Sequence, residues 1–114
     1  MTYEEFNNVV EEQYKICKAV LDKKSKEYAP KADRLAAFKT ASCILHKTPL
    51  QALSGQMSKH SVSLFEMIDL DHDYNDMALW QEKLTDSINY LFLMKALLLD
   101  EQASEAQKQA QNAF

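Results

Sequence analysis

Phe6, Val9, Val10, Gln13, Cys17, Val20 and Leu21 keep the spacing of one face of an amphipathic helix, with Glu4, Glu11, Glu12 and Lys15 left to solvent. Thr2 and Glu5 have the spacing of a capping box, so this helix is expected to begin at Thr2 and run to about Lys26 or Tyr28. Pro30 disfavours helix at Ala29, which makes residues 28–32 a connection. Asp33 can cap a second helix whose face is Leu35, Phe38, Ser42 and Leu45, ending near His46. Thr48, Pro49 and Gln51 then supply a cap, a first-turn proline and a second capping-box spacing. The third helix, from Pro49 to about Asp69, carries Leu50, Leu53, Met57, Leu64, Phe65 and Ile68. Gly55 inside it costs about 1 kcal/mol relative to Ala, a cost that close helix approach would explain. The dense Asp and Asn of residues 69–76 predict a loop, and a fourth helix follows from about Met77 to at least Glu101.

The fourth helix has two apolar sides. With Leu84, Ile88, Leu91 and Leu98 as its core stripe, Glu82, Asp86 and Asn89 fall opposite, on a side that also carries Leu93 and Leu97. Residues 90–99 are apolar nearly all round, so cover is expected from the bundle and from a second subunit. The tail, residues 102–114, is polar and rich in Ala and Gln, and is read as a helical or frayed extension of a single domain over residues 1–101.

Composition narrows the fold class. One Gly in 114 residues leaves almost no positive-φ turn positions for hairpins, so the expectation is all-α, about a four-helix bundle with a long C-terminal helix and an oligomeric state. A compact monomer of this mass exposes roughly 6,000–6,500 Å² against about 19,000 Å² unfolded. Cys17 and Cys43 form neither a disulfide framework nor a zinc set, which makes a reducing cytoplasm the default. No apolar run is long enough for a membrane span, and the acidic N-terminus is not a targeting signal.

The net charge of −4 conceals segregation. Between Lys15 and Lys47 nine Lys and Arg stand against three Asp and Glu, whereas between Glu66 and Asp86 seven acidic residues stand against one Lys. Either the two segments face each other as ordinary surface charge, or one addresses phosphates and the other a divalent cation. The acidic excess argues against a general nucleic-acid surface.

Lys59, Ser63 and Glu66 share one side of the third helix. If that side meets the polar face of the fourth, Glu66, Glu82 and Asp86 with Lys59 and Asn89 form a hard-oxygen cluster suited to magnesium. The alternative is a solvated face on each helix. Asp69, Asp71 and Asp73 imitate the start of a calcium loop, but Tyr74 and Trp80 replace its required Gly and Glu. His46, His60 and His72 lack zinc spacing; His60 is either a pocket donor or a packed histidine.

Three strings carry a family resemblance: KSKEYAPKADRLAAFK at 24–39, TPLQALSGQMSKHSVSLFEMID at 48–69 and WQEKLTDSINYLFLMKALL at 80–98. Over roughly residues 3–101 they resemble small proteins encoded by bacteriophages and prophages. That family is itself similar to the nucleotide-modification-associated helical domain and to the MazG-like and dUTPase all-α NTP pyrophosphatases. The resemblance implies carboxylates on two helices holding magnesium against a nucleoside triphosphate. It matches Asp86 and Glu66 to ligand positions; with the converging polar faces and the basic stretch this gives Glu66, Glu82 and Asp86 as metal ligands, Lys59 and Arg34 on phosphate, and Asn89, Tyr90 and Tyr28 orienting or bounding the nucleotide. The chain departs from the pyrophosphatase pattern at Lys83 and Ser63, where acidic ligands are expected three positions before Asp86 and Glu66.

Taken together, these readings lead to a phage-encoded protein of the host cytoplasm that binds a nucleotide or phosphate compound, with magnesium-dependent pyrophosphohydrolase chemistry as its extension. The competing expectation is a non-enzymatic module that binds a host or defence protein through its acidic segment and two-sided fourth helix. A third is that the charged positions only hold helices in register.

Overall fold

A computed structural model describes residues 1–27, 33–70 and 76–113. Four helices account for nearly all of them: α1 (Tyr3–Glu27), α2 (Ala36–Leu45), α3 (Pro49–Asp69) and α4 (Met77–Asn112), and no strand occurs among the described residues. The expected all-α bundle with a long last helix is the observed architecture. No helix is long and apolar enough to cross a membrane among the residues described.

Helix starts are written locally. Thr2 N–H donates to Glu5 Oε2 at 2.7 Å and Glu5 N–H to Thr2 Oγ1 at 3.1 Å, closing the first capping box. Thr48 and Gln51 repeat it at α3, with bonds of 3.0 and 3.1 Å and Pro49 in the first turn. Asp76 caps α4 through Leu79 N–H. Asp33 does not cap α2 directly. Its Oδ1 accepts from Leu35 N–H two residues on, a turn that precedes the helix, and its Oδ2 is held by Lys39 Nζ at 2.6 Å. At the far end of α2 His46 takes the left-handed conformation, φ 53°, in which its N–H and that of Lys47 reach back to the Cys43 and Ser42 carbonyls.

The core lies where α2, α3 and α4 meet. Leu35 before α2, Phe38 on it, Leu53 of α3 and Leu97 of α4 are buried together, with Leu50, Met57, Tyr90, Leu93 and Met94 packed around them. This corrects the stripe expected for α4. Leu84, Leu91 and Leu98 are exposed in the single chain, while the opposite side, with Thr85, Asn89 and Leu97, is the one turned inward. The tail continues α4 as helix to Asn112 instead of fraying after Glu101.

Among the described helices α1 packs on α4, and polar side chains bridge the two. Gln81 Nε2 donates to Gln13 Oε1 at 2.6 Å and to Thr85 Oγ1 at 3.0 Å; Gln13 Nε2 donates to Thr85 Oγ1 at 3.0 Å and to Cys17 Sγ. Asn89 Nδ2 extends the ladder to the Cys17 carbonyl at 3.3 Å. Of the apolar stripe expected on α1 only Cys17 is fully buried, because no element among the described residues covers Phe6, Val9 and Val10. On α3, Phe65 and Ile68 are likewise exposed, and Gly55 faces open space, so its place is not explained by close helix approach.

Candidate cleft beside Asp86

The α3 face turned to α4 carries Leu53, Met57, His60 and Leu64 at helical spacing, which rotates Lys59 and Glu66 outward into solvent. The position that meets Asp86 is therefore His60. Its Nδ1 stands 3.8 Å from Asp86 Oδ2, beyond hydrogen-bond length, and its ring lies 5.0 Å from the Tyr90 ring at 42°. Asp86 and Tyr90 are four residues apart on α4, so one imidazole contacts both.

Asp86 divides two adjoining clefts. The first, about 120 Å³, lies between α1, the start of α2 and α4; Lys24, Arg34, Gln56, Asp86, Asn89 and Tyr90 supply its polar lining, over a floor that includes Phe38 and Leu93. The second, about 460 Å³, is lined by Lys24, Gln81, Glu82, Thr85 and Asp86 with Ile16 and Val20. Lys24 and Asp86 belong to both. The basic half of α1 thus meets the acidic start of α4 here, with both signs of charge on the walls. Arg34 is fixed by donating from Nε to Ser25 Oγ at 2.9 Å, and Ser25 Oγ in turn donates to the Leu21 carbonyl.

Asn89 is 6 % exposed. Its partner on α1 is a carbonyl, which only accepts, so the amide nitrogen must face Cys17 and Oδ1 is the remaining acceptor. Among the described residues, Asn89 Oδ1 and His60 Nδ1 are buried polar atoms without a hydrogen-bond partner. Such a group costs about 1–3 kcal/mol, so its retention in a cleft wall calls for a reason.

Of the residues singled out from sequence, Arg34, Asp86, Asn89 and Tyr90 come together in the first cleft, and Glu82 joins Asp86 in the second. Glu66 and Lys59 line neither. No three His, Cys, Asp or Glu side chains among the described residues are grouped to hold one metal ion, so Glu66, Glu82 and Asp86 do not form such a set here. Tyr28 lies outside the described residues, as do Asp71, His72 and Asp73. Sequence reasoning gave Lys24 no individual role and left His60 between two. Lys24 falls four residues after Val20 and seven after Cys17, a spacing that aims it down the inner face of α1. Comparison of the chain with family models, curated proteins and solved structures gives no match.

Proposed function

We propose that the chain binds a nucleotide or related phosphate compound in the joined clefts beside Asp86. The observation that carries this reading is the placement of two cations, Lys24 and Arg34, in one cleft with a buried amide, Asn89, whose acceptor has no donor. Cations neutralise phosphate, Arg34 held in place by Ser25 does so with little loss of side-chain freedom, and Asn89 Oδ1 accepts from a ring N–H or amino group. Tyr90 bounds the same space with an aromatic face. The first cleft is smaller than the roughly 300–1,000 Å³ of ordinary ligand pockets and takes one phosphate or one ring. The rest of the ligand extends past Lys24 and Asp86 into the second.

Magnesium accompanies the phosphate in this reading. Glu82 and Asp86 stand one helical turn apart on the wall of the second cleft, and this ion is commonly held by one or two carboxylates with waters and substrate phosphates completing its shell. Lys59 and Glu66 have no part in it. The resemblance to a phage and prophage family that is itself distantly similar to all-α NTP pyrophosphatases supports the same ligand class.

Calorimetric titration with nucleoside mono-, di- and triphosphates, with and without magnesium, tests the reading. Binding is expected for the native chain, at least about tenfold weaker in Arg34→Ala, the loss of a hydrogen bond to a charged group being worth about 1.5–3 kcal/mol. Asn89→Leu should lose binding, while in the unliganded fold the removal of an unsatisfied acceptor offsets the lost bond to the Cys17 carbonyl, so that stability changes by less than about 1.5 kcal/mol. No binding of any of these compounds by the native chain would end the proposal. Pyrophosphate release, followed in the same mixtures, separates binding from turnover.

A further inference from the structure

The chain exposes 8,914 Å², against roughly 6,400 Å² for a compact monomer of its mass. Its radius of gyration, 17.7 Å, compares with about 13 Å for a compact chain of this length. The excess surface is about 2,500 Å². Half of that already exceeds the roughly 800 Å² per partner that a stable interface uses, leaving the other half to the projecting end of α4.

The apolar part of the excess is concentrated on one face. Between the first half of α1 and the middle of α4 runs a groove of about 370 Å³ lined by Val9, Val10, Tyr14, Cys17, Ile88 and Phe92, with Gln13 as its one polar residue. Both ends of the Gln13 amide are engaged, the nitrogen by Thr85 and Cys17 and the oxygen by Gln81. Nothing in this groove asks for a polar ligand. Phe6, at 54 % exposure, extends the face on α1, and Leu84 and Leu91 extend it on α4. All residues of α1 up to Glu12 are exposed, so ten residues carrying an apolar stripe stand in water with no cover from the other described residues. A helix segment of that length is marginal without tertiary packing.

We infer that a second copy of this chain covers the α1–α4 face, two α1–α4 pairs meeting about a two-fold axis as an intermolecular four-helix layer. A two-fold contact uses the same patch on both copies, and this patch is self-complementary in kind: a groove flanked by the half-exposed rings of Tyr14 and Phe92, each able to fill the other copy's groove. The area matches an obligate homodimer rather than a transient encounter. The inference does not depend on the ligand proposed for the Asp86 clefts.

Sedimentation equilibrium of the full chain at micromolar concentration tests it, the expected result being twice the 13.1 kDa of one chain. Val10→Glu and Phe92→Glu, made separately, should each weaken the dimer at least tenfold while the helical circular dichroism is retained. Phe65→Glu, on the equally exposed end of α3, should leave it unchanged. If Val10→Glu loses its helical signal, Tyr14→Lys serves in its place. A native chain that stays monomeric at about 100 micromolar would overturn the inference, as would a dimer that Phe65→Glu dissociates and the α1 and α4 variants do not. A monomer that binds zwitterionic vesicles through this face would assign it to a lipid surface and overturn the inference too.

Discussion

At Asn89 the same amide serves two ends: the nitrogen ties α4 to α1 through the Cys17 carbonyl, and the oxygen lies buried without a donor in the wall of a cleft. From sequence alone Asn89 was legible as a polar residue on a side of α4 that continues into apolar surface. That it is buried was not, because a polar residue at an inward position looks the same in sequence as one facing water. Gly55 is the opposite case. Its presence in mid-helix suggested a neighbour too close for a side chain, yet a Cβ built there meets nothing within 4 Å. Gly55→Ala should therefore raise stability by about 1 kcal/mol, through helix propensity and a less disordered unfolded chain, in urea denaturation. A loss on substitution would show that the glycine is needed for a contact outside the single chain.

Elements were legible where their signals are local. The Thr2–Glu5 and Thr48–Gln51 boxes involve residues three apart, so no tertiary knowledge was needed, and α3 begins and ends where the pattern placed it. Faces were legible only when one side was plainly apolar, as for Leu35 and Phe38. On α4 both sides carry leucines, and the inward side includes Gln81 and Thr85, which bond Gln13, and Asn89, which bonds the Cys17 carbonyl, partners about seventy positions earlier. The same long-range dependence hid His60 as the neighbour of Asp86: it follows from which way α3 is rolled, a matter decided by Leu53 and Met57 packing against Leu97 and Tyr90. This polar seam yields a prediction that runs against hydrophobicity. Thr85 is 3 % exposed and its Oγ1 receives both Gln13 and Gln81, so Thr85→Val, although more apolar and nearly isosteric, takes an acceptor from two part-buried amides and leaves them only Cys17 Sγ and Gln13 Oε1. It should cost about 1–3 kcal/mol in thermal or urea unfolding. A neutral or stabilising result would mean that α1 is held on α4 by something other than this ladder.

For the whole molecule, so small a core makes the ties outside it consequential. Lys39 on α2 reaches both Asp33, at 2.6 Å, and Asp100 on α4, at 3.1 Å, and so ties the start of α2 to the second half of α4. The Lys39 hydrogen bond, with help from Leu35 N–H, holds the Asp33 carboxyl below its ordinary 3.8, and the two carboxylates hold the Lys39 ammonium above its ordinary 10.5. The signs give a window. A depressed carboxyl contributes stability that is present above 3.8 and is lost as pH falls through its lower folded value; a raised ammonium contributes stability present below 10.5 and lost as pH rises through its higher folded value. The tie is therefore at full strength across neutral pH and fades on both sides. All three side chains are two-fifths or more exposed, so added salt should weaken it. Lys39→Met should lower the urea midpoint at pH 7, and its deficit against the native chain should shrink toward pH 3 and in high salt. A deficit that stays constant with pH would assign Lys39 to packing of its aliphatic stem instead of to charge.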